Sequence, residues 1–217
     1  MSLVLAFDIE RSGGRLDHKT MAIGASVLNA DLIEQGNFFV TNYRPGITIF
    51  EERCWAEFWS KHPETLQKLE YQGEASEAMQ EVMMIEDFQE FRRHWEMVAR
   101  ESKCKLELVS DNNVYDGGFI NDLICKHTHD LPIPYTATRP QTYAAFWETH
   151  SIQKGVLAMV DPGFTKNWGF SKRLADLFVI PPQTKEHNHL PHHDAYTIAF
   201  DYQVIKGIQA GRIPRRL

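Results

Sequence analysis

The chain has 217 residues, 43% hydrophobic and 24% charged, the make-up of one globular domain or at most two small ones. Lys and Arg number 23 against 29 Asp and Glu, a formal net charge of −6, which argues against gripping nucleic acid by a broad cationic face. An acidic site that recruits divalent cations stays open, because the ions supply the missing positive charge. Three scattered cysteines, Cys54, Cys104 and Cys125, make neither a disulfide framework nor a thiol-rich zinc site. No apolar run approaches a membrane span, and the first residues lack the basic segment of a signal peptide. The expectation is a reduced, soluble, cytoplasmic protein with no membrane partner.

Leu3 to Phe7 is a short apolar run that ends in Asp8-Ile9-Glu10, a buried strand emerging at an acidic end. After the loop Arg11–Arg15, residues 21–28 and 37–43 read as two further strands. Three close strands without intervening helices predict an antiparallel meander. From Glu51 to Glu101 the character changes. Pro63 suits the first turn of a helix over 64–71. Ser76 to Ser102 reads as a long amphipathic helix, with Met84, Phe88, Phe91, Trp95 and Val98 at three- and four-residue steps. Lys105–Val109 alternates as a strand, a helix starts near Asp116, and Pro140 opens another up to about Thr149. Val160–Phe164 is a turn, Phe170–Phe178 a short helix, and Asp194 to about Gly207 the last one. Strands first and then helices with later strands predict one α/β domain with a mixed sheet, residues 1–217, elaborated by helices at about 51–102.

Three segments hold groups that carry chemistry. Asp8 and Glu10 stand two apart on a strand and so share a face, where two desolvated carboxylates repel each other and call for a hard cation such as Mg²⁺ or Mn²⁺. Taken alone, the pair also fits an ordinary solvated strand end with Arg11 as partner. The run Asp111–Ile120 leads a strand through a polar turn into a helix, with Asp116 at its head, a place that alone fits a simple N-cap. His187-Asn-His-Leu-Pro-His-His-Asp-Ala195 gathers four of the chain's ten histidines, and His189 precedes Asp194 by five residues across a loop–helix junction.

Together the three segments run D-x-E, D at the head of a helix, then H-x4-D. That order resembles the DEDDh, or DnaQ-like, family of 3′–5′ exonucleases. The first motif matches as Phe7-Asp8-Ile9-Glu10. The second, usually H-N-x-x-F-D-x-x-F-L, stands here as Asp111-Asn112-Asn113-Val114-Tyr115-Asp116-Gly117-Gly118-Phe119-Ile120, and the third as His189-Leu-Pro-His-His-Asp194-Ala195. The resemblance spans nearly the whole chain. It departs in Asp111, which replaces the usual histidine, and in the long stretch from Arg53 to Glu101, whose Cys54-Trp-Ala-Glu-Phe-Trp59 is weakly similar to phage- and virus-borne branches.

The resemblance implies a ribonuclease-H-like α/β fold, a mixed sheet flanked by helices. It implies two Mg²⁺ (or Mn²⁺) ions held by Asp8, Glu10, Asp116 and Asp194, with His189 as general base and single-stranded nucleic-acid 3′ ends as substrate. Arg11, Asn112 and Phe119 are the expected substrate contacts, Arg15 a further candidate, and Trp55, Trp59 and Trp168 candidates to stack bases. A homodimer is left open. Two competing readings remain. One is a DnaQ-like scaffold that binds nucleic-acid ends or a polymerase without cutting. The other is an iron or zinc enzyme built on His192 and Asp194, or on the His187–His189 pair.

Overall fold

The computed structural model describes residues 2–129, 146–166 and 169–216. Five strands form one sheet: β1 (Ser2–Arg11), β2 (Thr20–Leu28), β3 (Glu34–Thr41), β4 (Lys105–Ser110) and β5 (Phe146–Glu148), in the order β3-β2-β1-β4-β5. The meander β1–β2–β3 is antiparallel, as its close spacing predicts, and β4 and β5 run parallel to β1. The first strand does not stop at its acidic end. It continues through Asp8 and Glu10 to Arg11, because β2 pairs with it along that whole length.

Alternation along β1 divides the molecule. Leu3, Leu5, Phe7 and Ile9 pack on one face with Met84 and Phe88 of α3 (Glu77–Glu101) and Ile120 and Ile124 of α4 (Asp116–His127). Val4 and Ala6 pack on the other face against Ala195, Ile198 and Ala199 of α7 (Pro191–Gln209). Helix α3 opens at Ser76, whose hydroxyl accepts the Met79 N–H at 3.2 Å. It covers the sheet directly, so within the expected helical elaboration only α1 (Glu52–Glu57), a 3₁₀ turn (Trp59–Lys61) and α2 (Pro63–Leu69) stand apart from that layer. Those pieces close a small core of Met21, Trp59, Leu66, Leu69 and Leu190.

Beyond β5 come α5 (Thr149–Val160) and α6 (Phe170–Leu177), which pack against α7 through Val156, Leu157, Leu174 and Ile205. The helix expected from Pro140 lies mostly outside the described residues. Its described end is corrected: Phe146–Glu148 pairs with β4 as a strand, and the helix starts only at Thr149. The short apolar run Phe146-Trp147 has no period of its own, so only the exposed edge of β4 decides it.

Helix α7 lies hard against β2 at Gly24. A Cβ there would meet the backbone nitrogen of His192 at 2.1 Å and the Pro191 carbonyl carbon at 2.2 Å. Gly24 is also the cross-strand partner of Asp8, so this missing side chain lets the N-terminus of α7 approach the acidic end of β1. Gly24→Ala is therefore expected to push the start of α7 off the sheet and to cost about 1–3 kcal/mol, the usual range for overpacking. Urea unfolding of the variant against the parent measures it.

Candidate active site

The even positions of β1 carry the α7 face onward, so Asp8 and Glu10 point to the same side as Val4 and Ala6. The register between the parallel strands pairs Ala6 with Val109, and two residues further on each chain reaches Asp8 and Asp111. Asp116 is the first residue of α4, and its N–H bonds to the Asn112 carbonyl at 2.9 Å. Asp194 lies in the first turn of α7, behind Pro191 in the opening turn.

Carboxylate oxygens of Asp8, Glu10 and Asp194 lie within 4.8 Å of one another, and so do those of Asp8, Asp111 and Asp116. Asp8 belongs to both groups. Burial, the largest cause, pushes the Asp8, Glu10 and Asp116 carboxyls well above the usual carboxylate range, and their mutual repulsion pushes the same way. Asp194 rises to about 6 for the same first reason, although the nearby His187 pulls it down. Asp116 is 3% exposed, and its Oδ2 has no hydrogen-bond partner. An all-oxygen donor set with an orphaned buried acceptor fits a hard divalent cation, which satisfies the acceptor and cancels the repulsion.

The loop before α7 wraps Asp194. Its Oδ1 accepts the Asn188 N–H at 2.9 Å and its Oδ2 the His189 N–H at 3.0 Å. His189 sits at φ 60°, a left-handed backbone rare for a residue with a side chain, and its bond to Asp194 helps hold it there. Its ring packs edge-on against Phe58 at 4.6 Å and lies 4.8 Å from the ring of His62. Burial, then His187 and His62, lowers His189 to about 4, so the imidazole is neutral at pH 7 and able to accept a proton. A cavity of about 310 Å³ opens beside the cluster, lined by Asp111, His150, Gln153, His187 and Asp201 among others.

The expected residues are placed unevenly around the cluster. The H-x4-D spacing singles out His189, yet His187 comes nearer the carboxylate: Nδ1 of His187 lies 3.4 Å from Asp194 Oδ1, against 4.0 Å from His189 to Oδ2. Arg11 is not turned to substrate. It lies on the odd face of β1, 6% exposed, with its guanidinium 3.4 Å over the Phe119 ring and donating to the His18 carbonyl. Phe119, 7% exposed, is likewise packing. Asn112 is exposed and turns the chain into α4 through its carbonyl and Oδ1, while Arg15 is paired with Asp17 in open solvent. Trp59 is buried, its indole N–H on the Arg11 carbonyl at 2.9 Å, whereas Trp55 is half-exposed against Phe50. Trp168 lies outside the described residues. His192 and Asp194 do not form half of an iron site: two residues apart on one helix they point about 200° apart, and the His192 ring packs on Phe39 at 4.2 Å.

Three further residues stand at the site beyond the predicted ligands and base: Asp111, Phe58 and His62. Asp111 appeared as a departure from a motif; the register of β4 against β1 is the signal that would have placed it beside Asp8. Phe58 belongs to the Cys54–Trp59 run and His62 follows it, and only the packing of the α1–α2 segment brings them to His189.

No family model matches the chain, and no curated protein matches it. Solved structures do. E. coli exonuclease I in complex with a 5cy-dT13 oligonucleotide superposes with a TM-score of 0.60 at 14% identity, covering 97% of this chain and 42% of that one. A product-bound exonuclease I gives 0.56 at 15% identity, covering 96% and 42%. The zinc-bound E. coli exonuclease I–ssDNA complex gives 0.53 at 13%, covering 96% and 40%. The chain thus spans about two-fifths of the length of these neighbours. At such identities the likeness shows the fold: a mixed sheet flanked by helices, the ribonuclease-H-like architecture of the DnaQ exonucleases.

The cluster sets an expected outcome for stability. A carboxyl raised in the folded state binds its proton more tightly there than in the unfolded chain, so it costs stability as pH rises above its unfolded value and costs nothing well below it. Asp8→Asn is therefore expected to melt higher than the parent at pH 7 in EDTA, with the gap closing toward pH 3. Millimolar Mn²⁺ should raise the melting temperature of the parent and lose most of that effect in the variant. Differential scanning fluorimetry across pH, with and without Mn²⁺, measures both.

Proposed function

We infer that the chain is a divalent-metal-dependent 3′–5′ exonuclease that removes nucleoside monophosphates from single-stranded DNA or RNA ends. The observation that supports it is the convergence of Asp8, Glu10, Asp116 and Asp194, from three distant segments, with a neutral His189 over Asp194. The fold shared with exonuclease I supports it too, and that neighbour is described with single-stranded oligonucleotides. Asp8, Glu10, Asp116 and Asp194 would hold two Mg²⁺ or Mn²⁺ ions, Asp8 in a position to touch both because it belongs to both acidic groups. Such ions, when bound, activate a water and stabilise the attacking and leaving oxygens of an in-line displacement.

The chain's own residues then have separate tasks. His189 takes the proton of the attacking water at a ring nitrogen, and Phe58 and His62 keep that ring facing the site. Asp194 fixes the backbone of the loop through its two accepted N–H bonds. The cavity beside Asp111 has room for a nucleoside next to the scissile phosphate. Trp55 offers a half-exposed ring to a single-stranded base. The whole chain, residues 1–217, acts as one exonuclease domain in this reading.

The test is digestion of 5′-labelled single-stranded DNA and RNA oligonucleotides with Mg²⁺, Mn²⁺ or EDTA. The expected product is a ladder shortened from the 3′ end, with mononucleotides released and EDTA abolishing both. Binding of the oligonucleotides without any shortening would overturn the reading in favour of a scaffold. Within the histidine loop, His189→Ala is expected to lower kcat by about 10²–10⁴-fold, the usual worth of a general base. His187→Ala, the nearer but more exposed ring, is expected to keep the rate within about tenfold. Steady-state rates of both variants decide which histidine takes the proton.

A further inference from the structure

Asp111 is expensive where it stands. It adds its repulsion to Asp8, Glu10, Asp116 and Asp194, raising each of their carboxyls. Among the described residues no lysine or arginine forms an ion pair with it; the nearest ionisable nitrogen is His150 Nε2, 3.9 Å from its Oδ2. Its place is fixed by the backbone. The register that pairs Ala6 with Val109 carries Asp8 and Asp111 to neighbouring strand ends, with Val109 packed on the α7 face. Asp116 lies within reach of both, and its buried Oδ2 has no hydrogen-bond partner.

We propose that Asp111 is a fifth ligand of the metal centre, holding one divalent cation together with Asp8 and Asp116. This rests on the metal-dependent reading above and adds to it a residue outside the four acidic positions of the D-x-E, D and H-x4-D pattern. The geometry allows it. Oxygens on one octahedral Mg²⁺ at about 2.0–2.1 Å stand about 3 Å apart when adjacent and about 4 Å when opposite. A trio spread over no more than 4.8 Å reaches that shape by side-chain shifts of under about 1 Å. Five carboxylates also leave the centre with one negative charge after two divalent ions have bound, so this ion is held more tightly than a four-carboxylate centre would hold it. The repulsion that Asp111 adds is then offset by the bound ion.

The experiment is calorimetric titration of Mn²⁺ into the parent, Asp111→Asn and Asp111→Glu, with thermal unfolding in EDTA as the folding control. The control is expected to show Asp111→Asn melting at or above the parent, since repulsion is removed. The parent is expected to bind two Mn²⁺. In Asp111→Asn one of the two should weaken by about 10-fold or more, and in Asp111→Glu as well, because one extra methylene moves the carboxylate off the ion. Both variants binding Mn²⁺ like the parent would overturn the proposal. So would a parent-like Asp111→Asn beside a weakened Asp111→Glu, since the carboxylate would then be dispensable and only the added bulk would disturb the centre. A parent that binds no Mn²⁺ sinks the metal-centre reading itself and this inference with it. Two tight ions in the parent with no change in the variants sinks only the role of Asp111.

Discussion

The rest of the structure is organised around a repulsion. Asp8, Glu10, Asp116 and Asp194 are driven together by the fold in a place where burial already disfavours their charge, and Asp111 adds a further negative group beside them. A protein has no stability reason to build such a cluster, because each ionised carboxylate there weakens the folded state. The arrangement makes physical sense with cations in it, when the same charges become ligands and the orphaned oxygen of Asp116 gains a partner.

Holding the cluster together takes rigid elements on every side. The hydrogen-bonded ladder with β2 runs to the end of β1 and keeps Asp8 and Glu10 in register. The parallel pairing of β1 with β4 sets Asp111 beside Asp8 and delivers the chain into α4 at Asp116. Helix α7 brings Asp194 across the sheet face, and it can do so because Gly24 offers no side chain where Pro191 and His192 pass. Three distant parts of the chain are thereby tied to one point by backbone geometry, which moves less than side chains do.

The histidine loop is held differently. It has no secondary structure of its own, and His189 keeps a left-handed backbone. Its restraints come from both sides: Asp194 accepts two of the loop's N–H groups, and Phe58 with His62 packs against the ring. The α1–α2 segment that carries those rings is anchored by Trp59, buried with its N–H on the Arg11 carbonyl. What reads as an addition to the fold is thus in contact with the centre of the site. Arg11 and Phe119 serve the opposite face, where their stacking joins β1 to α4.

Much was legible in the sequence, for a local reason. Period-two and period-three-to-four patterns depend on neighbours a few residues away, so β1–β4, α2, α3, α4, α6 and α7 could be read, and the D-x-E pair could be assigned to one face of a strand. The ends of elements were not legible where a partner set them. β1 runs past its acidic residues because β2 pairs with them, and Phe146–Glu148 is a strand because β4 has an edge to fill. The side chains around the site divide in the same way. The sequence alone singled out the carboxylates Asp8, Glu10, Asp116 and Asp194 and the histidine-rich loop, which the fold brings together. Only the tertiary structure decided that Arg11 faces away from the cluster, that His187 and His189 both approach Asp194, that Phe58 and His62 pack on the His189 ring, and that Asp111 stands beside Asp8. Each of those depends on strand register or helix packing between residues far apart in the chain, and no local pattern encodes such distances.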